Sequence, residues 1–185
     1  MKKKICIICA RKGSKGIKNK NFIKIGKLHL FEITIKQAIN SKLFDKIILS
    51  SDSNKIIQKS KKLGVDYTIL RTKRLSNDSA SKIDVIKDAL KKAEDYYNTE
   101  FDFICDLDVT SPLRTTRDIK NCYKMIISKK FDNVFSVINS NKNPYFNIVE
   151  IKNNNLSLVK PLNRIFQSRQ SAPKTFDMNA SIYFW

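Results

Sequence analysis

Short apolar runs alternate with amphipathic stretches along the first three quarters of the chain, and the two periods are easy to separate. "KICIICA" (4–10), "KIILSSD" (46–52), "VDYTIL" (65–70), "FDFICDLD" (101–108) and "NVFSVIN" (133–139) are compact and rich in β-branched residues, which predicts strands. Between them, "LFEITIKQAINS" (30–41), "NKIIQKSKKLG" (54–64), "KIDVIKDALKKAEDYY" (82–97) and "TRDIKNCYKMIISKK" (116–130) repeat their apolar residues at helical spacing. Gly64 stops the second of these helices, and Ile83, Ile86, Ala89, Leu90 and Ala93 share one face of the third. Strand–helix alternation of this kind implies an α/β fold, a Rossmann-like open and mainly parallel sheet flanked by helices. Ligands of such sheets bind at the carboxyl ends of the strands. Three polar segments fall there: 9–21, "SSDS" at 50–53 and "DLDVTSPLR" at 106–114.

After Asn139 the pattern changes. "NPYFNIVEI" (143–151), "NLSLVK" (155–160) and "NASIYFW" (179–185) read as strands with no helix between them, and 164–177 as a connecting segment. The stretch 140–178 is therefore expected to be an insertion within a single domain spanning 1–185, shaped as a partner interface or a lid.

Composition narrows the function class. The net charge of +19 comes from 36 lysines and arginines scattered along the whole chain, without a helix-turn-helix, an aromatic RNA-binding motif or a heptad repeat. That favours anionic small molecules over nucleic acid. No apolar run approaches a membrane span, and "MKKKICIICA" is too short in its apolar part for a secretory signal, so a cytoplasmic protein is expected. Cys6 and Cys9 form a nominal C-x-x-C, but inside a strand positions three apart face opposite sides. With His29 the sole histidine, no zinc set can be assembled from the four cysteines.

The segment "CARKGSKGIKNKN" (9–21) carries the chemistry. Gly13 and Gly16 permit tight turns and close ligand approach, successive amides of such a turn form an anion cradle, and Arg11, Lys15 and Lys20 add charge. Lys12 and Lys18 read as solvated. The segment is neither a Walker loop nor a dinucleotide fingerprint, yet it suits a triphosphate.

It resembles the first motif of the acylneuraminate cytidylyltransferases, the CMP-sialic acid synthetase family, whose Ala-Arg-x-x-Ser-Lys-Gly…Lys-Asn segment wraps CTP. "LRTKRLSNDSAS" (70–81), "LDVTSPLRT" (107–115) and "RQSAPKTFDMNASIYF" (169–184) resemble further blocks of that family, in the same order and over nearly the whole chain. The resemblance implies nucleotide contacts at Ala10, Arg11, Gly13, Ser14, Lys15, Gly16, Lys20 and Asn21, with Arg71 beside the cytosine and Ser81 in the turn that reads the base. It places Arg169 and Gln170 near the sugar across a dimer, and Asn179 and Tyr183 along the sugar pocket. Arg114 reads equally well as a structural cap.

Departures from the family pattern sharpen the expectation. Asp108 stands where the family usually has glutamine, which makes it a candidate Mg²⁺ ligand or an acceptor for the sugar, and Asp106 should share its face. "NPYFN" and "MNAS" resemble the branch that activates legionaminic acid. The family continues with an Asp-x-x-x-Asp-like metal segment beyond the point where "SIYFW" ends, so a truncated chain or an incomplete metal site is expected. The implied activity converts CTP and a nine-carbon 2-keto sugar acid into CMP-sugar and pyrophosphate, with Arg11, Lys20 and Asp108 as the catalytic residues, Mg²⁺ as cofactor and a homodimer as the assembly. The alternatives are a synthetase specific for N-acetylneuraminate, a ketodeoxyoctonate relative, a CTP-binding protein without turnover, and a nucleic-acid binder using the chain's charge.

Overall fold

A computed structural model describes residues 2–13, 16–77, 79–162 and 168–185. The elements follow as β1 (Lys4–Cys9), β2 (Lys24–Ile25), β3 (Leu28–His29), α1 (Leu30–Ser41), β4 (Lys46–Ser51), α2 (Asn54–Lys62), β5 (Tyr67–Leu70) and α3 (Lys82–Tyr97). Then come β6 (Phe103–Leu107), α4 (Thr116–Lys129), β7 (Val134–Asn139), β8 (Val149–Lys152), β9 (Asn155–Leu158) and β10 (Phe176–Phe184). The chain forms two compact units, Met1–Ser136 with Ala180–Trp185, and Val137–Asn179.

The larger unit is built on the sheet, ordered β5-β4-β1-β6-β10-β7. β1 pairs in parallel with β4 and β6, β4 pairs in parallel with β5, and β10 runs antiparallel to β6. The strand order reverses beside β1: the chain first builds outward through β4 and β5, then returns to place β6 on the other flank. A crevice opens at such a switch, because the flanking loops leave in opposite directions.

Strand alternation sorts the core. Cys6 and Ile8 of β1 face one side, with Leu49 and the apolar residues of α1, α2 and α4, among them Phe31, Ile35, Ile56 and Ile119. Ile5 and Ile7 face the other, with Ile48 and with Ile86, Ala89 and Ala93 of α3. Cys9 packs against this second group, so the two cysteines of the nominal C-x-x-C do point apart, and all four cysteines are free thiols. Ile83 does not join the apolar face expected of it. It is 45% exposed in the first turn of α3, and the buried place is taken by Val85.

Helix starts are fixed by side chains that satisfy otherwise orphaned amides. Ser81 Oγ accepts from the Ile83 amide at 3.2 Å ahead of α3. Thr115 and Asp118 exchange bonds ahead of α4, at 2.8 Å from the Thr115 amide to the Asp118 carboxylate and 3.2 Å in return. The small β2–β3 hairpin was not expected from the pattern; its strands hold two residues each, and Gly26 supplies the turn with φ of +60°.

In the smaller unit the strand expected over 143–151 begins only at Val149. Asn143 folds the preceding residues into a turn instead: its Oδ1 accepts from the Tyr145 amide at 2.9 Å, and its carbonyl accepts from the Asn147 amide at 2.8 Å. β8 and β9 form an antiparallel hairpin whose turn carries Asn153 and Asn154 at positive φ. Among the described residues no helix is long and apolar enough to cross a membrane.

Candidate active site

A cavity of about 590 Å³ lies at the carboxyl ends of β1, β5 and β6, the strand ends that flank the switch point. Arg11, Lys20 and Asn21 line it from the loop after β1, Arg71 from the end of β5, Lys82 from the start of α3, and Asp108 from the end of β6.

The β1 loop is held by its backbone. Asn21 is buried, and its Nδ2 donates to the Arg11 carbonyl at 2.7 Å, closing the loop on itself. The amides of Ala10 and Lys12 are already given to the Ser50 carbonyl at 3.0 Å and to Asp52 Oδ1 at 2.6 Å. Ala10, fully buried, supports the loop from beneath. Neither Gly13 nor Gly16 has a left-handed backbone, and a Cβ at either position would meet no atom within 4 Å. Among the described residues nothing in the backbone geometry or the surroundings of these two positions requires glycine. Ser14 and Lys15 lie outside the described residues.

Arg71 is buried, and its guanidinium is fixed on Ser50: Nε meets Oγ at 3.2 Å and Nη2 meets the carbonyl at 2.8 Å. Both partners are neutral, so the positive charge at the cavity wall is kept. The remainder of "SSDS" is scaffold. Ser51 Oγ accepts from the Ser53 amide at 3.1 Å, Ser53 caps α2, and Asp52 anchors the β1 loop. Ser81 likewise spends its hydroxyl on the α3 cap, while its neighbours Ala80 and Lys82 form the wall.

The acidic corner is the part of the site that sequence reasoning only half found. Alternation along β6 puts Asp106 and Asp108 on one face, as expected. Between them sits Lys82, with Nζ at 2.6 Å from Asp106 Oδ2 and 2.9 Å from Asp108 Oδ2. Asp106 is completely buried, and its Oδ1 has no hydrogen-bond partner among the described residues. Burial pushes Asp106 above the ordinary carboxylate range, Lys82 pulls it back and Asp108 adds to the rise. Burial also works against charge on Asp108, but Lys82 and the two Thr110 bonds, at 2.8 Å and 2.6 Å, outweigh it and hold Asp108 low. Lys82 loses to burial as well, yet the two carboxylates more than compensate and keep its ammonium charged. Burial and then Asp106 push the Cys9 thiol, which lines the same cavity, up to about 12, so it is no nucleophile. The signal for Lys82 was a lysine one residue after a helix cap, which sequence alone does not distinguish from a solvated one.

Arg114 is a brace. Buried, it donates from Nη1 to the Ser181 carbonyl at 2.6 Å and to the Asp108 carbonyl at 3.1 Å, and from Nη2 to Gln37 Oε1 at 2.9 Å. The β6 loop, β10 and α1 are thereby tied together. Tyr183 pairs with Asp106 across the sheet, and its ring lies 5.7 Å from Lys82 Nζ, next to the acidic corner. Asn179, Arg169 and Gln170 belong to the Val137–Asn179 unit; Asn179 and Gln170 are exposed there, and Arg169 and Gln170 form part of a short 3₁₀ turn.

Comparison with known proteins adds to this geometry. Over 181 residues the chain is 42% identical to post-translational flagellin modification protein B of Campylobacter coli and 44% identical to CMP-N,N'-diacetyllegionaminic acid synthase of Campylobacter jejuni. In both cases 98% of this chain and 76% of the relative are covered. An N-acylneuraminate cytidylyltransferase of Streptococcus agalactiae is 41% identical over 145 residues, 77% of this chain and 33% of that protein. The solved structure of a CMP:2-keto-3-deoxy-manno-octonic acid synthetase complexed with CTP shares the fold, with a TM-score of 0.69 at 16% identity, covering 99% of this chain and 73% of that one. The family model for cytidylyltransferases matches residues 5–184, and with a cationic crevice at the switch point of a mainly parallel sheet the chain belongs to the cytidylyltransferase family.

Proposed function

We propose that this protein transfers CMP from CTP to a nine-carbon 2-keto sugar acid, with legionaminic acid or a close relative as the preferred acceptor. The observation that carries the reading is the cavity itself, where Arg11, Lys20 and Arg71 meet the carboxylate corner at the β1–β6 switch. The identity to a legionaminic acid synthase supports the choice of sugar. In this reading the anomeric hydroxyl oxygen of the sugar attacks the α-phosphorus in line, the bond to the bridging oxygen breaks, and pyrophosphate leaves. Arg11 and Lys20 bind the polyphosphate and offset the charge that moves onto pyrophosphate, Arg71 orients the nucleoside, and Arg114 keeps the β6 loop in place. Asp108, held low by Lys82 and Thr110, is a weak base, so the hydroxyl proton passes to water.

The donor set fits Mg²⁺. Asp106 and Asp108 offer hard carboxylate oxygens, one of them buried without a hydrogen bond among the described residues. Among the described residues there is no cluster of three or more His, Cys, Asp or Glu, so such an ion would depend on substrate phosphates and water for its remaining ligands. When bound by Asp108 and Asp106, Mg²⁺ supplies neutralisation of the polyphosphate charge.

The same reading has the protein work as a homodimer in the cytoplasm, with Arg169 and Gln170 reaching a sugar held by the other copy. Exposed apolar side chains of the smaller unit, Val149, Ile151, Leu156, Phe176 and Met178, support the dimer. Pyrophosphate release from CTP with a panel of legionaminic, sialic, pseudaminic and ketodeoxyoctonic acids tests the proposal. Release with the first is expected to be fastest, and no release with any of them overturns it.

A further inference from the structure

We infer that Lys82 is a positioning residue that competes with the divalent cation for the Asp106–Asp108 pair, so that the protein takes up metal together with the nucleotide and holds it weakly alone. The inference rests on the metal reading given above and deepens it. Lys82 Nζ lies within 2.9 Å of one oxygen from each carboxylate, the point on which both aspartates converge. A Mg²⁺ bound to these oxygens needs bonds of about 2.0–2.1 Å. It would stand within a few ångströms of the ammonium, where like charges in a partly buried corner repel strongly. The two cations cannot share the pair.

The position of Lys82 in the fold argues that it is there for the carboxylates. It is the first residue of α3, immediately after the Ser81 cap, and a helix N-terminus is the unfavourable end for a cation. Its partners are what hold it there. The contact is also incomplete, since Asp106 Oδ1 has no hydrogen bond among the described residues although Asp106 is fully buried. A single ammonium thus offsets only part of the charge of the two carboxylates. The lysine has somewhere to go: its side chain is 39% exposed, it lines the cavity, and the face of Tyr183 lies 5.7 Å from Nζ. An incoming polyphosphate in the cavity supplies new negative charge for the ammonium at the moment the metal claims the aspartates, which couples the two ligands.

Mn²⁺ binding followed by electron paramagnetic resonance, with and without CTP, tests this. Without CTP, Lys82→Met is expected to bind Mn²⁺ at least about tenfold more tightly than the unchanged protein, and Lys82→Arg to bind as weakly as the unchanged protein. With CTP the gap is expected to close to about threefold or less. Equal or weaker binding by a folded Lys82→Met overturns the inference. Should Lys82→Met not fold, the unchanged sequence serves. With lysines carrying ¹³C-methyl labels, the Lys82 resonance is expected to move toward those of exposed lysines on addition of Mg²⁺ and CTP, and a resonance that stays in place overturns the inference. Asp108→Asn separates the two layers of the argument. If it loosens Mn²⁺ in the CTP complex while Lys82→Met gives no gain, only the role of Lys82 falls; if it leaves Mn²⁺ affinity unchanged, the metal reading falls and takes the inference with it.

Discussion

The loops after β1 and β6 line the same cavity and handle charge in opposite ways. After β6 the charges are matched inside the protein: Asp106 and Asp108 converge on Lys82, and Arg114 is surrounded by carbonyls. After β1 the backbone is secured by Asn21 and Asp52, while Lys12 and Lys18 are exposed and Lys20 has no ion pair among the described residues. The difference follows burial. A charge with no water around it must be paired, whereas a half-exposed lysine is stabilised by solvent and can wait for a ligand. The acidic side of the cavity draws most of its partners from within the protein, and the unfinished side is cationic, as a polyanion requires.

The comparison makes predictions of decreasing size. Lys20→Ala, on the unfinished side, should lower kcat/KM for CTP by about 10²- to 10³-fold, as expected for removing one preorganised charge donor. Thermal stability should hardly move, and steady-state kinetics beside a melting curve checks both. On the acidic side the pattern should invert. Arg114→Ala strands the Ser181 and Asp108 carbonyls and Gln37, and should cost about 2–4 kcal/mol of stability, read from urea unfolding. If Arg114→Ala left the unfolding midpoint unchanged, the notion of a braced acidic side would be wrong.

The smallest effect is one of pH, outside the cavity. Burial opposes ionisation of Glu32, but its bonds from the His29 amide at 2.8 Å and from Lys59 at 3.4 Å prevail and hold its pKa below the ordinary glutamate value. The carboxylate is therefore favoured by folding. Its contribution is complete above the unfolded pKa and disappears as pH falls through the lower, folded one. Glu32→Gln should flatten the acid limb of the stability–pH curve, and an unchanged limb would show that other carboxylates govern it.

Much of this arrangement could be read from the chain. α1 and α3 begin and end where the apolar spacing puts them, because their apolar faces are long, and Ser81 marks the start of α3 as well. Period-two alternation placed Asp106 beside Asp108. Lys82 was not legible, since nothing in "SAS-K-ID" separates a lysine that folds back on two aspartates from one that points to water; that depends on β6, more than twenty residues later in sequence. "SSDS" misled in the other direction. Its position at a strand end suggested ligand contact, but hydroxyls next to buried amides and an arginine are consumed locally. "NPYFN" was apolar enough to pass for a strand, and Asn143 overrode it by bonding its own neighbours.

The place of β10 has a consequence for how the molecule is assembled. The strand that fills the slot between β6 and β7 comes after the whole of Val137–Asn179, so that slot waits while the intervening unit is synthesised. Closure over so long a separation is slow, and until it happens one edge of β6 is bare, Arg114 lacks its Ser181 partner and Tyr183 is absent from Asp106. The acidic corner thus stays incomplete in a nascent chain that has not passed Ala180, because the partners that Ser181 and Tyr183 supply to Arg114 and Asp106 are still missing.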